Sequence, residues 1–252
     1  MIYEILVLLI AGLGAGAITG FVGASAVVIA APILILFLNI DAYVAIGLSL
    51  TIDIFASLFA ATIYFKNKRI RIKKSLIILI PALVFTLVGS YFSQFVSSGS
   101  LVGITGFAIM VDGIIFFAKG NKKITKKKSS EYPLFYSLLA GIIIGLIAGI
   151  FGAGGGLMIS LALLLLLNYS VHEAIGTSIV FMIFIALFGG VAHFIIQPFP
   201  ISFLIWGALG GILGAFYSAK IANYMDEKLI AKLIGVVLFI LGTSVFLREV
   251  IF

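Results

Sequence analysis

Phe151-Gly152-Ala153-Gly154-Gly155-Gly156-Leu157 stands inside an uncharged run that extends from Tyr132 to Val171. One helix of that length would measure about 60 Å, twice the roughly 30 Å hydrocarbon core of a bilayer. The run must therefore fold back. Four glycines in five residues are poor helix and mark the place. A second uncharged run lies between Glu4 and Asp41, with glycines from Gly12 to Gly23 and Pro32 beyond them. It meets the same length limit and has its own breaker.

The two runs are copies. Sliding the chain along itself until Gly12 falls on Gly141 also places Gly16, Gly20 and Gly23 on Gly145, Gly149 and Gly152. The same register places Asn39 on Asn168, Ala45-Ile46-Gly47 on Ala174-Ile175-Gly176, and Ser49 on Ser178. Residues 12–51 and 141–180 share 14 identities in 40. The glycine and polar matches carry the repeat, because apolar matches come cheaply in such a sequence.

Composition sets the class. The 252 residues are 63% hydrophobic and 10% charged. A soluble domain carries about 25% charged residues. An ordinary globular enzyme and a disordered chain are both excluded, and a helical membrane protein is expected. The +7 net charge is not a nucleic-acid footprint, since twelve of the sixteen cations sit in two short blocks. Lys66, Lys68, Arg69, Arg71, Lys73 and Lys74 form one; Lys119, Lys122, Lys123, Lys126, Lys127 and Lys128 form the other. Cytoplasmic loops have this pattern. The chain has no cysteine, so thiol chemistry is excluded. The N-terminal run lacks a basic region and a clean cleavage site, and reads as a retained membrane segment.

Six further spans follow, at about 42–65, 75–96, 101–118, 173–196, 201–221 and 229–250. Gln197-Pro198-Phe199-Pro200 separates two of them and cannot continue a helix. In the first half the cations follow the third segment; in the second half they follow the fourth (Lys220, Lys228, Lys232). An even hairpin plus three spans is odd, so the second half enters upside down. The expected fold is an all-α integral membrane protein of two inverted-topology repeats. Each repeat is a Gly-rich hairpin of short helices plus three long transmembrane helices, about ten helices in total, with both termini outside. The repeats are residues 1–118 and 132–252, joined by a basic cytoplasmic linker at 119–131.

The fourfold-spaced glycines suit helix packing. The glycines that follow leave bare N–H groups at a helix start, which attracts anions. Two such starts, brought together by a pseudo-twofold axis, would make an anion site. Expected there are Gly23, Ala24 and Ser25 in one half and Gly152, Gly154, Gly155 and Gly156 in the other. Ser49, Thr51, Thr177 and Ser178 would add hydroxyl donors. Asn39 and Asn168 read as turn formers. Asp53 falls at the centre of its span. It is either satisfied by neighbouring hydroxyls or, carrying a proton beside an anion, the proton-coupling residue. His193 is a structural side chain or a pH-sensitive gate. A nucleotide loop is excluded because no strand precedes the glycines and no Gly-Lys-Ser/Thr ends them. His172-Glu173 lacks the second histidine of a zinc protease helix, because Gly176 occupies that position. No catalytic set, metal site or cofactor is expected.

Gly152-Ala153-Gly154-Gly155-Gly156, followed by Asn168 and Ala174-Ile175-Gly176-Thr177-Ser178, resembles the TauE/SafE family of sulfite exporters. The resemblance spans nearly the whole chain. It implies a multi-pass permease of the cell membrane for sulfite, another sulfur-containing oxyanion or an organosulfonate. It also implies that the glycine cluster and the Gly-Thr-Ser segment line the pathway. In the first half Ser25, Ala26 and Val27 stand where the second half has glycines. The expected function is a secondary transporter working by alternating access. Its partners are a small anion, the lipid bilayer and protons, with no nucleic acid; homo-oligomerisation is left open. The other two readings are a passive anion channel and a non-transporting membrane assembly protein.

Overall fold

The architecture is that of a computed structural model, and residues 2–121, 134–152 and 155–251 are described. The fold is all helical; the described residues contain no strand. Ten helices are present among them: α1 (Ile2–Val22), α2 (Val27–Leu38), α3 (Ala42–Lys66), α4 (Leu76–Ser93), α5 (Ser98–Asn121), α6 (Leu134–Phe151), α7 (Gly155–Leu166), α8 (Val171–Ile196), α9 (Ile201–Tyr224) and α10 (Glu227–Ile251). Six are long and apolar enough to cross a bilayer: α1, α3, α4, α6, α8 and α9. Most of the basic linker expected at 119–131 lies outside the described residues.

The hairpins differ from expectation in one respect. Both arms were expected to be short, but α1 has 21 residues and α6 has 18. Only the return arms are short, with 12 residues each in α2 and α7. A helix of that length rises about 18 Å and cannot span the hydrocarbon core. The fourfold-spaced glycines do not break the first arms because each lies against another helix. That contact repays their poor propensity.

The turns follow from local chemistry. Asn39 and Asn168 take left-handed backbone angles (φ 50° and 54°), which asparagine tolerates, and so end α2 and α7. The next helix is then capped at once. Asp41 accepts the Tyr43 N–H at 2.9 Å to start α3. Ser170 and Glu173 form a reciprocal capping box at the start of α8. The Tyr3 hydroxyl donates to the carbonyl of Phe37 at 3.1 Å, so the end of α2 returns to the start of α1. The α1–α2 hairpin therefore enters and leaves on one side, with its tip beside the middle of α3.

Four helix pairs dominate the packing: α1 with α9, α4 with α6, α3 with α8, and α5 with α10. All four join the two halves of the sequence, so the halves interleave. A Cβ on Gly12 or Gly16 would strike the backbone of Gly207 or Gly211. One on Gly145 or Gly149 would strike Ala82 or Thr86. Bulky side chains point outward instead: Ile80, Val84, Leu139, Ile143, Leu187, Val191, Leu209 and Leu213 are all exposed. Small residues inside and branched apolar residues outside invert the pattern of a soluble protein and suit lipid contact.

Gly16→Leu should force α1 off α9 and cost at least about 1–3 kcal/mol. Gly14→Leu, whose Cβ meets only the Ile29 side chain and no backbone, should cost less. Unfolding of the two purified variants in detergent, read by thermal midpoint, measures the difference.

Candidate functional site

Each hairpin tip is a helix break made by one glycine. Gly23 and Gly152 have φ of +70° and +64°, angles that glycine adopts without strain. The two tips meet at the centre of the molecule. Gly156, at the start of α7, lies so close to the carbonyl of Gly23 that a Cβ would overlap it. A Cβ on Gly23 would come within 2.7 Å of Ser178 Oγ. Gly152 lies against Ile46 of α3 and Val27 at the start of α2. Ser178 Oγ accepts from Ser160 Oγ at 2.7 Å and donates to the Ile175 carbonyl at 2.9 Å. Thus Gly23, Gly156, Ser160 and Ser178 form one buried cluster between the halves.

Asp53 belongs to the same level but faces the first hairpin. Its Oδ2 accepts the N–H of Ala26 at 2.9 Å, the residue just before α2. Its Oδ1 accepts from Thr19 Oγ1 at 2.9 Å and from Ser57 Oγ at 3.2 Å. Asp53 is fully buried, as are Thr19, Ser25 and Ser57. The bare amide at the start of α2 is therefore held by the protein's own carboxylate. Ser25 Oγ accepts the Val27 N–H at 3.4 Å and helps close the same turn. Ala24 is buried beside it.

The remaining expected residues separate. Ser49 is fully buried, and its hydroxyl has no hydrogen-bond partner. Its repeat mate Ser178 bonds Ser160, whose own mate is Ala31, so the difference is one missing hydroxyl. Thr51 donates to its own helix, at the Gly47 carbonyl, 2.8 Å away. Gly155 packs against Ala148 and Met182. Gly154 lies outside the described residues. Thr177 points away from the tips: its Oγ1 accepts the N–H of Arg71 at 3.0 Å. That contact ties the loop after α3 across the start of α8. The Arg71–Glu173 ion pair at 2.7 Å and the Tyr169 hydroxyl, which donates to the Arg71 carbonyl at 3.1 Å, fasten the same loop.

His193 sits at the far end of α8, about 22 Å along the helix from Ser178. Its Nδ1 donates to the Gly189 carbonyl at 2.9 Å, and its Nε2 is 3.3 Å from Ser93 Oγ. The ring stacks on Tyr43 with centroids 4.3 Å apart. Phe199 of the Pro-flanked loop is buried nearby, and a Cβ on Gly47 would touch it. His193 thus packs at the end of α8, and the Arg71 loop at its start.

Sequence reasoning missed Thr19, Ser57 and Ser160. Ser57 was within reach of it, being one turn beyond Asp53 on the same face of α3. Thr19 and Ser160 lie on other helices, and no spacing rule pointed to them.

A bundle with apolar helices facing outward and broken helices meeting at a buried polar centre is the build of a multi-pass membrane transporter. The sulfite exporter TauE/SafE family model matches residues 8–245, and the chain belongs to that family. It is similar to two proteins of Bacillus subtilis (strain 168). It is 26% identical to "Probable membrane transporter protein YdhB", over 87% of this chain and 91% of that one. It is 26% identical to "Probable membrane transporter protein YunE", over 94% and 95%. No solved structure matches the chain.

Gly23→Ala adds a side chain at a positive φ and against Ser178, two costs at one position. It should destabilise the purified protein by roughly 1–3 kcal/mol. Ser178→Gly in the same chain should recover part of the loss, as a double-mutant cycle of thermal midpoints would show.

Proposed function

We propose that this transporter carries a small oxyanion, sulfite or another sulfur-containing anion or organosulfonate, by alternating access. The carrying observation is the meeting of the two hairpin tips at a buried centre of hydroxyls, glycine backbone and one carboxylate. In this reading Gly23, Ala24, Ser25, Ser49, Gly152, Gly154, Gly155, Gly156 and Ser178 line the anion's position. Thr51 and Thr177 act beside it, Thr177 through the loop it holds. Among the described residues every Lys and Arg stands in a loop or within six residues of a helix end. With the amide before α2 taken by Asp53, the anion is then held by neutral donors and the amides at the start of α7, which favours release as much as capture.

The inverted repeat, with units 1–118 and 132–252, supplies the two access states. Its support is the correspondence of contacts in the register that sets Gly12 on Gly141. Gly12 on Gly207 has its counterpart in Gly141 on Ile78, and Gly16 on Gly211 in Gly145 on Ala82. Gly47 against His193 has its counterpart in Gly176 against Tyr64. Equivalent helices α3 and α8 thereby run antiparallel, as a twofold axis in the membrane plane requires. In this reading the Arg71 loop covers one end and Phe199 with His193 the other, which the contacts of both with α3 and α8 support. Rocking one bundle against the other would uncover each end in turn, with His193 as part of one gate.

Asp53 is the residue through which an ion gradient acts, since it is the ionisable group at the centre. Asp53→Asn should abolish uphill accumulation of sulfite in proteoliposomes and leave sulfite–sulfite exchange. Gly156→Ala, which meets the Gly23 backbone, should abolish both while the protein still inserts. Saturation and counterflow in the parent protein identify a carrier. Flux that never saturates would make it a channel, and absence of flux across a panel of sulfite, thiosulfate and sulfonates would end the transport reading.

A further inference from the structure

We infer that Asp53, Thr19, Ser25 and Ser57 form a sodium site at the break between α1 and α2. The inference rests on the reading of Asp53 as the coupling residue and names the ion. Three oxygens are already gathered: Asp53 Oδ1 with Thr19 Oγ1 at 2.9 Å and Ser57 Oγ at 3.2 Å. Ser25 Oγ lies in the adjoining turn, one residue before the Ala26 amide that the carboxylate holds. The last turn of α1 ends beside them, and its carbonyls carry the negative end of the helix. Broken helices in transporters offer such ends to cations.

Charge balance points the same way. The bonded partners of the carboxylate are a threonine, a serine and a backbone amide, all neutral. A carboxylate at mid-depth with no cationic partner is costly. One bound monovalent cation cancels it. A divalent ion would call for more carboxylates than one. A proton would use a single oxygen and leave the others without purpose. On Oδ2 it would oppose the Ala26 N–H, and on Oδ1 it would make Thr19 or Ser57 turn to accept. A bare cation draws on all the hydroxyl lone pairs together.

The second half shows that the cluster is not a requirement of the fold. The repeat register takes Thr19 to Ala148, Asp53 to Met182 and Ser57 to Ala186. All three of these apolar residues are buried in the same packing. A hairpin of this build folds with no oxygen cage, so the cage in the first half serves something else. The work is thus divided: the Asp53 cluster takes the cation, and the tip cluster of Gly23, Gly156 and Ser178 takes the anion, with Ser25 in the turn that joins them.

The test uses the full chain purified in detergent, without substrate, at fixed pH and ionic strength. Thermal midpoints are measured in sodium, potassium and choline chloride. Sodium should raise the midpoint in a saturable way, as a ligand of the folded state does, and choline should not. Thr19→Val and Ser57→Ala keep size and should each raise the half-saturating sodium concentration by about tenfold or more. Asp53→Asn should lose the sodium response altogether. Equal midpoints in sodium and choline overturn the site, as do unchanged sodium titrations in Thr19→Val and Ser57→Ala. Accumulation driven by a pH gradient in sodium-free liposomes overturns it in favour of a proton at Asp53. A sodium response in a protein that moves no sulfite would sink the anion reading and leave the cation site standing.

Discussion

A helix that breaks inside a bilayer must find partners for its bare amides, because lipid offers none. In this protein the break after α1 is answered by Asp53, whose carboxylate reaches the Ala26 N–H from the middle of α3. That bond fixes the depth of the first hairpin against the long helix. The return arm can then be short, and the Asn39 turn and the Asp41 cap bring the chain back to begin α3. The second hairpin meets the same constraint with different means. Gly156 presses onto the Gly23 carbonyl, and Met182 fills the place of the carboxylate.

Close approach of backbones is the second condition. Without a hydrophobic drive between helices in lipid, association depends on contact and on small residues that allow it. The glycine ladders of α1 and α6 meet α9 and α4 at backbone distance, and the same device recurs between α5 and α10 at Gly113 and Gly242. Since all four main pairs cross between the sequence halves, the bundle is held by exchange, and neither half has a complete core.

Much of the fold was legible in the chain. Charge-free runs too long for one crossing required hairpins, and the Pro-flanked loop at 197–200 separated α8 from α9 as read. The asparagines proved to be turn formers with left-handed angles. The lengths of the first arms were not legible, because a glycine ladder looks like a breaker until the helix it packs against is known. The site was legible in part. Gly156 and Ser178 both lie against Gly23, whereas the adjacent Thr177 serves the Arg71 loop. Neighbours on a helix point about 100° apart, and only the surroundings decide which one faces the centre.

The sequence by itself determined the helical membrane class, the helix breaks and the internal likeness of its two long uncharged runs, because hydrophobic length and glycine placement act locally along the chain. Tertiary structure decided what each polar group does. Asp53 is separated from Ala26 by 27 positions and from Thr19 by 34, yet it bonds to both. Ser49 and Ser178 are equivalent in sequence, yet only Ser178 finds a hydroxyl across the gap. Hydrogen bonds depend on distances of a few tenths of an ångström, and such distances are set when the hairpins dock, not when the helices form.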